Sequence, residues 1–312
     1  MTPLLPPSCP ACGNPVAFSE YCRASFLPTD ERRILECPLC RLSILWPLPT
    51  GDELTAYYGR SYFDFNRRRE EGKGLYYAHL LKKIAPQGRF LDVGCATGFF
   101  LSGIQKNCSW ELYGLETGRE AAAYARKNLC VDVRDVPLEQ AGYESDFFDF
   151  IHLNNVLEHT TDPFAVLSEA ARILKKGGRL YVAVPNGLID RRGYWKVLKK
   201  TGRLGASKDG HLFFFTKDAL ESLAQRSGLR IQKAHSSGFK RGFRVLGLWP
   251  EKKGWERDYQ GRPKDPKSLE QSIVEGRSHS PSYYLFKHIQ ENVLRYPGFS
   301  PWTYDFNLTL TK

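Results

Sequence analysis

The sequence predicts an α/β fold in which helices cover both faces of a parallel sheet, preceded by a small metal-binding ribbon. From residue 88 onward, strand-like and helix-like segments alternate, as in parallel sheets with crossover helices. Within this region FLDVGCATGFF, residues 90–100, leads from an apolar strand into a glycine-rich turn and a helix. Near the amino terminus, two Cys-x-x-Cys pairs account for four of the eight cysteines. Together these features predict one large domain with an accessory unit.

The two Cys-x-x-Cys pairs predict a structural zinc site. Its four thiolate ligands are Cys9, Cys12, Cys37 and Cys40. Two thiolates on a tight turn can bind one ion, and two such turns complete a tetrahedral site with Zn–S distances of about 2.3 Å. Gly13, directly after the first pair, suits such a turn. Because four cysteines leave no open coordination position, the zinc is expected to be structural and not catalytic.

The segments that follow have their own local signals. After a Pro-rich turn, one helix is expected from about Gly51, and the apolar spacing of 75–84 predicts a second helix that ends before Pro86. The alternating elements are then strand FLDVG, helix 98–107, strand ELYGLE, helix 118–128, a short strand VDV, strand FDFIHLNN, helix 162–176 and strand RLYVAVPN. The lysines and glycines of KKGGRL, 175–180, are typical of a helix end.

The pattern is looser after residue 185. A helix is expected at 216–227 and a strand at 229–235, and YDFNLTLT, 304–311, alternates like a final antiparallel strand. The predicted units are a zinc ribbon at 1–46, a helical connector at 47–85, a main domain at 86–239 plus 304–312, and a basic and aromatic insertion at 240–303.

The charge of the chain is concentrated in two stretches. The net charge is +11, and 190–208 carries seven Lys and Arg residues against one Asp, while 240–267 carries nine against four acids. Such stretches are either solvated faces or contacts to phosphate on nucleic acid, on a nucleotide-linked or lipid-linked substrate, or on a membrane surface. The sequence contains no apolar run of about 20 residues, and its start, MTPLLPPSCPAC, lacks an export leader. We therefore expect a soluble, cytoplasmic protein.

The glycine-rich turn predicts a nucleoside site. Such a turn between a strand and a helix lets the backbone approach a ligand closely. The spacing Gly94-x-Ala96-x-Gly98 lacks the third glycine of the dinucleotide fingerprint, because Phe99 stands in its place, and this favours S-adenosylmethionine over NAD. Glu116 ends the next predicted strand, where a carboxylate can accept hydrogen bonds from both ribose hydroxyls.

Several stretches together resemble a known family. FLDVGCATGFF, LYGLE, DFFDFIHLNNVLEHTTDP, EAARILKKGGRLYVAVPN and HLFFFTKDALESLAQRSGL resemble the successive motifs of class I S-adenosylmethionine-dependent methyltransferases, over roughly residues 86–236. CPAC and CPLCRLSILWPLPTGDELTAYYGRSYF resemble the amino-terminal zinc-ribbon region of a bacterial subgroup, often associated with surface-polysaccharide or other secondary biosynthesis. The resemblance implies a Rossmann-like, seven-stranded methyltransferase sheet with a four-cysteine zinc ribbon.

The resemblance also implies a set of cofactor-binding positions. These are Asp92, Gly94, Cys95, Ala96, Gly98, Glu116, Asp135, Val136 and Asn154. The glycine turn would hold the methionine portion, with Ala96 in place of the family's usual middle glycine, and Glu116 would bind the ribose. Asp135 or Val136 would lie at the edge of the adenine, and Asn154 under the cofactor near the transferred methyl.

Two histidines are candidate bases for the reaction. Alignment of an acceptor with the methyl can supply about 7–11 kcal/mol of barrier lowering, and a hydroxyl or activated carbon also needs a base. His159 in NNVLEH and His211 in DGHLFFF each follow a predicted strand at the carboxyl edge, where open α/β folds bind ligands. The alternatives are a capping or supporting role for His159 and a packing role for His211. Glu158 and His159 are expected to shape the acceptor pocket, and His152 is expected to be structural.

The expected activity is methyl transfer to a small molecule: a sugar, a nucleotide-sugar or a glycan, on oxygen or carbon. The stretch 191–208 is expected to form a lid that meets a phosphate-bearing or lipid-linked acceptor, through a short helix with one apolar and one cationic face, or else a flexible basic loop. An RNA methyltransferase is one alternative, although the strand end reads LNNV and not the NPPY-type signature. A scaffold that binds the cofactor without transferring methyl is another.

Overall fold

The computed structural model describes residues 6–26, 30–58, 65–129, 131–202, 210–246, 248, 273–274, 296–300 and 303–312. The lid expectation beyond residue 202 and most of the 240–303 insertion therefore lie outside the described residues. Within those ranges, no helix has the length and apolarity that a membrane crossing requires.

The amino-terminal unit is an antiparallel sheet followed by two helices. Its elements are β1 (Ser19–Ala24), β2 (Arg32–Glu36), β3 (Ser43–Trp46), α1 (Gly51–Tyr58), β4 (Phe65–Asn66) and α2 (Arg67–Ile84). Strand β2 pairs antiparallel with both β1 and β3. Helix α1 begins at Gly51, where the sequence predicts it.

Helix α2 is longer than its apolar spacing indicates. The spacing of 75–84 predicts only the second part, whereas the helix begins at Arg67. The Asn66 side chain caps it by accepting a hydrogen bond from the Arg69 N–H at 3.0 Å, and Arg67 pairs with Glu71 one turn later. Caps and ion pairs of this kind stabilise a helical turn without an apolar stripe. Hydrophobic spacing alone therefore misses this part of the helix.

The main domain is built on one mixed sheet. Its elements, in chain order, are β5 (Arg89–Val93), α3 (Phe99–Gln105), β6 (Glu111–Leu115), α4 (Arg119–Leu129), β7 (Asp132–Arg134), β8 (Phe148–Asn154), α5 (Pro163–Ile173), β9 (Leu174–Pro185), α6 (Gly187–Thr201), β10 (Phe213–Phe214), α7 (Lys217–Arg226), β11 (Arg230–Ser237), α8 (Phe239–Leu246), β12 (Ile273–Val274), β13 (Tyr296–Pro297) and β14 (Asp305–Thr311). Among the described strands the order is β13-β11-β14-β9-β8-β5-β6-β7. The five strands from β7 to β9 pair in parallel, and β14 is antiparallel to β9 and β11. The predicted seven-stranded sheet is confirmed, with the two-residue β13 added at its edge.

One predicted helix end is wrong. Helix α5 ends at Ile173 and does not continue to residue 176, because Leu174 is already extended and pairs with Phe148 of β8. The Lys175 ammonium donates to both carboxylate oxygens of Asp149, at 2.9 and 2.8 Å. The pairing with β8 therefore overrides the local helix-end signal.

The ribbon and the main domain share a sheet. Strand β10 pairs antiparallel with β3, so that the ribbon sheet has the order β1-β2-β3-β10. Thr216 Oγ1 donates to the Cys40 carbonyl at 2.6 Å, and the Arg226 guanidinium donates to the carbonyls of Pro10 and Ala11 at 2.7 and 2.9 Å. Buried side chains of both units form one continuous apolar core. The ribbon is therefore packed against the domain and not loosely tethered to it.

Candidate functional site

The turn after β5 requires glycine for two separate reasons. Gly94 and Gly98 have φ values of +74° and +77°, in the left-handed region that glycine favours. A Cβ at Gly94 would also lie 2.7 Å from Val156 Cγ2. The N–H groups of Gly94 and Cys95 both donate to the Leu115 carbonyl, at 2.7 and 2.9 Å. This turn is thereby fixed against the end of β6 and leaves a cradle that a side chain would fill.

Glu116 is anchored at the mouth of this turn. Its Oε2 accepts the Ala96 N–H at 2.9 Å, and its Oε1 accepts the Gly118 N–H at 2.7 Å. Burial raises the pKa of the Glu116 carboxyl, and the two N–H donors act in the opposite direction. Ala96 adopts a left-handed φ of +49°, so the replacement of glycine there is accommodated with backbone strain. Each carboxylate oxygen retains a second lone pair for a ribose hydroxyl.

Asp92 faces the sheet interior. Its Oδ1 lies 2.7 Å from His152 Nδ1, and both side chains are buried. The His152 ring stacks on Phe100 and Tyr181, with centroid distances of 4.8 and 5.2 Å. Burial raises the pKa of Asp92, and the hydrogen bond from His152 partly offsets that rise. His152 therefore supports the strand that precedes the glycine turn, as expected of a structural residue.

The other proposed cofactor residues lie along the same sheet edge. Asn154 ends β8, next to β5, and is half-buried. The Cys95 thiol is buried, and burial raises its pKa. Asp135 is exposed and accepts a hydrogen bond from Arg126 at 3.5 Å, while the neighbouring Val136 is partly buried against the core. The fold thus brings these positions to one edge, and their contacts with the cofactor stay predictions.

A second polar cluster lies just beyond β8. Glu158 and His159 sit in a short 3-10 turn, Leu157–His159, and His211 precedes β10. One nitrogen or oxygen atom from each of the three side chains lies within 4.8 Å of the others. The two histidine rings are 4.9 Å apart, and the Leu212 N–H donates to the Glu158 carbonyl at 2.8 Å. The two candidate bases are therefore neighbours, although they are distant in sequence.

Glu158 is the most unusual member of this cluster. Its side chain is 1% exposed, and neither carboxylate oxygen has a hydrogen-bond partner among the described residues. Oε1 lies 3.9 Å from His159 Nε2. Burial raises the pKa of Glu158 to about 8, and burial lowers the pKa of His159 to about 3. Because unsatisfied buried polar atoms are costly, this carboxyl group indicates a site for a hydrogen-bonding partner.

The raised pKa of Glu158 predicts a specific pH dependence of stability. The folded carboxyl keeps its proton up to about pH 8, whereas in the unfolded chain it loses the proton near pH ~4.3. The contribution of Glu158 to the free energy of unfolding is therefore fully present below pH ~4.3. It declines as the pH rises to about 8, by ~1.4 kcal/mol per pH unit at most. Glu158→Gln should match the wild type near pH 5 and be more stable at pH 8, in urea unfolding.

The exposed Glu221 of α7 provides a matched control. Glu221→Gln should leave the pH dependence of the unfolding free energy unchanged. His159 contributes an opposite slope below pH ~6.5, but that slope is common to all three proteins and cancels in the comparison. If the unfolding free energies of wild type and Glu158→Gln changed in parallel with pH, this carboxyl would not titrate as the structure indicates.

Two residues that the sequence does not single out complete the cluster. Asp190 Oδ2 lies 2.6 Å from His211 Nδ1, and Tyr304 Oη donates to Asp190 Oδ1 at 2.8 Å. In the sequence, Asp190 is only the one acid of a basic stretch, and Tyr304 only begins a strand pattern. No local signal links positions 190, 211 and 304, because tertiary packing alone brings them together.

The four paired cysteines form one compact cluster. Their Sγ atoms lie within 4.8 Å of one another, with Cys9 and Cys40 at 3.5 Å and Cys12 and Cys37 at 3.9 Å. Two sulfurs in a tetrahedral zinc site with ~2.3 Å bonds would lie about 3.8 Å apart. The donor set and its spacing therefore fit one tetrahedral zinc ion.

Both cysteine turns have the same backbone form. The Gly13 N–H donates to the Cys9 carbonyl at 2.8 Å, and the Arg41 N–H donates to the Cys37 carbonyl at 3.0 Å. Gly13 has a φ of +76° and Arg41 a φ of +60°. The left-handed position that glycine suits in the first turn is thus occupied by an arginine in the second.

The chain matches a known protein family over more than half of its length. A family model described as "Methyltransferase domain" matches residues 65–234. An uncharacterized protein of Methanocaldococcus jannaschii is 28% identical over 181 residues, which cover 57% of this chain and 82% of that protein. The ubiquinone biosynthesis O-methyltransferase of Hahella chejuensis is 30% identical over 107 residues, 32% of this chain and 44% of that enzyme. The match therefore spans less than half of that O-methyltransferase.

A likeness is also found among solved structures. A SAM-dependent methyltransferase from Thermotoga maritima aligns with a TM-score of 0.47 and 22% sequence identity. The alignment covers 78% of this chain and 91% of that one.

Proposed function

This chain belongs to the methyltransferase-domain family and is an S-adenosylmethionine-dependent methyltransferase, and we propose that its acceptor is a hydroxyl or activated carbon of a sugar, a nucleotide-sugar or a glycan. The observation that carries the proposal is the buried Glu158 carboxyl group beside His159 and His211. Below about pH 8 this carboxyl group is protonated and neutral, so it can accept a hydrogen bond from a hydroxyl group and donate one to it. The reacting end of the acceptor is therefore expected to be a hydroxylated group.

The glycine turn and Glu116 are the residues proposed to hold S-adenosylmethionine. The cofactor supplies a methyl group on a sulfonium, which is already activated for transfer. The cradle at Gly94, which a Cβ would fill, suits the methionine portion, and the lone pairs of Glu116 suit the ribose hydroxyls. Val156 contacts the Gly94 position and immediately precedes the turn with Glu158, so the two sites adjoin.

The remaining task of the protein is to align the acceptor and take its proton. A hydroxyl that hydrogen-bonds to the Glu158 carboxyl group would be oriented beside both histidines. Alignment can lower the activation barrier by ~7–11 kcal/mol. Proton acceptance by a positioned base can raise the rate by ~10²–10⁴-fold. Burial in this cluster also excludes water, which strengthens each polar contact.

Helix α6 supports the proposal of an anionic, phosphate-bearing or lipid-linked outer portion of the acceptor. Its first turn carries Asp190 within the cluster, and its last turn carries the exposed Lys199 and Lys200. Trp195 is 36% exposed, with the Lys199 ammonium 4.8 Å from its ring centroid. An apolar and cationic end of this kind suits a phosphate or a membrane surface. The helix would therefore meet the acceptor away from its reacting hydroxyl.

The cysteine cluster supports structural zinc. Four thiolates with tetrahedral spacing would hold the ion with no open position for substrate, so its role would be to fold the ribbon. Zinc–thiolate sites suit a reducing compartment, which supports a cytoplasmic location.

Isothermal titration calorimetry tests the cofactor part of this proposal. We expect binding of S-adenosylmethionine and S-adenosylhomocysteine and no binding of NAD. Binding of NAD alone would contradict it. Mass spectrometry of sugar-nucleotide mixtures incubated with labelled cofactor then tests transfer. Cofactor binding with no labelled product in any mixture favours the scaffold, and RNA labelling with a steep salt dependence favours the RNA enzyme.

A further inference from the structure

We propose that Asp190 and Tyr304 fix the protonation of His211, so that His211 and not His159 takes the proton of the acceptor. The inference rests on the proposed methyl transfer and adds to it the identity of the base. Asp190 and Tyr304 are positioning residues, because they act through His211.

The hydrogen bonds determine the tautomer of His211. An ionised carboxylate only accepts hydrogen bonds, so the 2.6 Å contact with Asp190 Oδ2 makes Nδ1 the protonated nitrogen of the ring. Nε2 then carries the lone pair that can take a proton. Tyr304 donates to the other carboxylate oxygen at 2.8 Å and thereby satisfies it. All three side chains are buried, which strengthens both contacts.

The start of α6 holds Asp190 rigidly in this position. The Asn186 side chain donates to the Thr303 carbonyl at 2.9 Å, and its N–H donates to the Tyr304 carbonyl at 2.5 Å. Gly187 approaches the backbone so closely that a Cβ would lie 2.2 Å from the Phe214 carbonyl carbon. The first turn of α6 is therefore fixed between the residues before β14 and those of β10.

His159 makes two contacts that stabilise a positive charge less well than the bond between His211 and Asp190. Its Nδ1 lies 3.3 Å from the Gly210 carbonyl, a neutral partner. The Glu158 carboxylate is 3.9 Å from its Nε2, beyond hydrogen-bond distance. Burial lowers the pKa of His159 to about 3, which agrees with this geometry. Since a charge-assisted hydrogen bond is about twice as strong as a neutral one, the imidazolium is better stabilised at His211.

With a hydroxyl acceptor, proton transfer to His211 accompanies attack of the oxygen on the methyl carbon. The hydroxyl proton moves to His211 Nε2, and the oxygen electron pair forms the new bond to the methyl carbon. The bond between that carbon and sulfur breaks, and its electron pair stays on sulfur. The products are the methyl ether, S-adenosylhomocysteine and a His211 imidazolium whose charge faces Asp190.

Nuclear magnetic resonance of the histidine side chains in the full-length protein tests this assignment without an acceptor. Long-range ¹H–¹⁵N spectra distinguish the two neutral tautomers and follow their titration, and the loss of one ring signal in His211→Gln assigns His211. We expect the Nδ1–H tautomer in the wild type at pH 8. In Asp190→Asn we expect the tautomer to change and the midpoint of the His211 titration to fall by about one pH unit or more.

The neighbouring charges define the controls. Among the described residues, the titratable groups of this cluster are Glu158 and His159 from the 3-10 turn, Asp190 from α6, Tyr304 just before β14, and Asp305 at the start of β14. Asp218→Asn, at an exposed position of α7, should leave the His211 signals unchanged. Tyr304→Phe keeps the Asp190 carboxylate and should retain the Nδ1–H tautomer of His211. This variant therefore tests the contact between Asp190 and His211 even if Asp190→Asn does not fold.

Two results would overturn the inference. One is an Nε2–H tautomer of His211 in the wild type, which needs no variant to observe. The other is a change of the His211 ring nitrogen signals when a chelator is added, if Zn²⁺ or Mg²⁺ then reverses that change. The cluster would in that case be a metal site. Neither result bears on cofactor binding, so failure here is distinguishable from failure of the proposed methyl transfer.

Discussion

Glu116→Ala is expected to weaken S-adenosylmethionine binding by about a hundredfold or more, while the protein stays folded. The carboxylate is the proposed acceptor for both ribose hydroxyls, and each hydrogen bond to a charged group contributes ~1.5–3 kcal/mol. The change also removes the acceptor of the Ala96 and Gly118 N–H groups, so the turn becomes less ordered before binding. Isothermal titration calorimetry measures the effect, with S-adenosylhomocysteine as a second ligand.

The other end of the same strand offers the control. Glu111 begins β6, is exposed, and bonds Arg89, so Glu111→Ala changes the same residue type away from the turn. Its cofactor affinity should equal that of the wild type. Gly94→Asp is expected to abolish binding, because a side chain there would occupy the cradle and meet Val156. If folded Glu116→Ala and Gly94→Asp proteins both bound with unchanged affinity, the site would lie elsewhere.

Features with a local chemical signal could be predicted from the sequence. The alternation of strands and helices predicts the sheet, because the apolar runs and turn residues that mark each element lie within a few positions of one another in the sequence. The final antiparallel strand, Asp305–Thr311, follows from its own alternation. The cysteine pairs predict their cluster because the spacing of two residues fits one turn.

Features that depend on tertiary contacts could not be predicted in this way. The end of α5 at Ile173 depends on pairing with β8, and β10 joins the ribbon sheet through β3. Asp190 becomes significant only because the start of α6 is fixed against Phe214. No propensity or spacing rule connects these distant segments, because their contacts form only in the folded chain.

The ribbon and the candidate base are physically connected. The Leu45 N–H of β3 donates to the carbonyl of Leu212 at 2.9 Å. Leu212 directly follows His211 in the chain. Leu212 in turn donates to the Glu158 carbonyl. One continuous set of hydrogen bonds therefore connects the cysteine cluster, the ribbon sheet and the polar cluster. Loss of the ribbon structure should therefore destabilise the segment that carries His211.

Cys37→Ser is accordingly expected to remove zinc and to unfold the ribbon. The free energy of binding in small zinc units, ~10–16 kcal/mol, contributes directly to their folding, and serine is a poor ligand for this ion. Elemental analysis should give about one zinc per wild-type chain and almost none in the variant. Hydrogen exchange should show lost protection in β1–β3 and also at 210–216, because β10 would lose β3 as its neighbouring strand.

Cys22 provides the matched control for this prediction. It is a buried cysteine of β1 outside the cluster, and burial raises the pKa of its thiol to about 12, so it is a poor metal ligand. Cys22→Ser should keep its zinc, and any loss of stability should then reflect packing alone. Full zinc content in Cys37→Ser would contradict a four-thiolate site. Zinc loss with unchanged protection at 210–216 would instead show that the ribbon does not support the segment that carries His211.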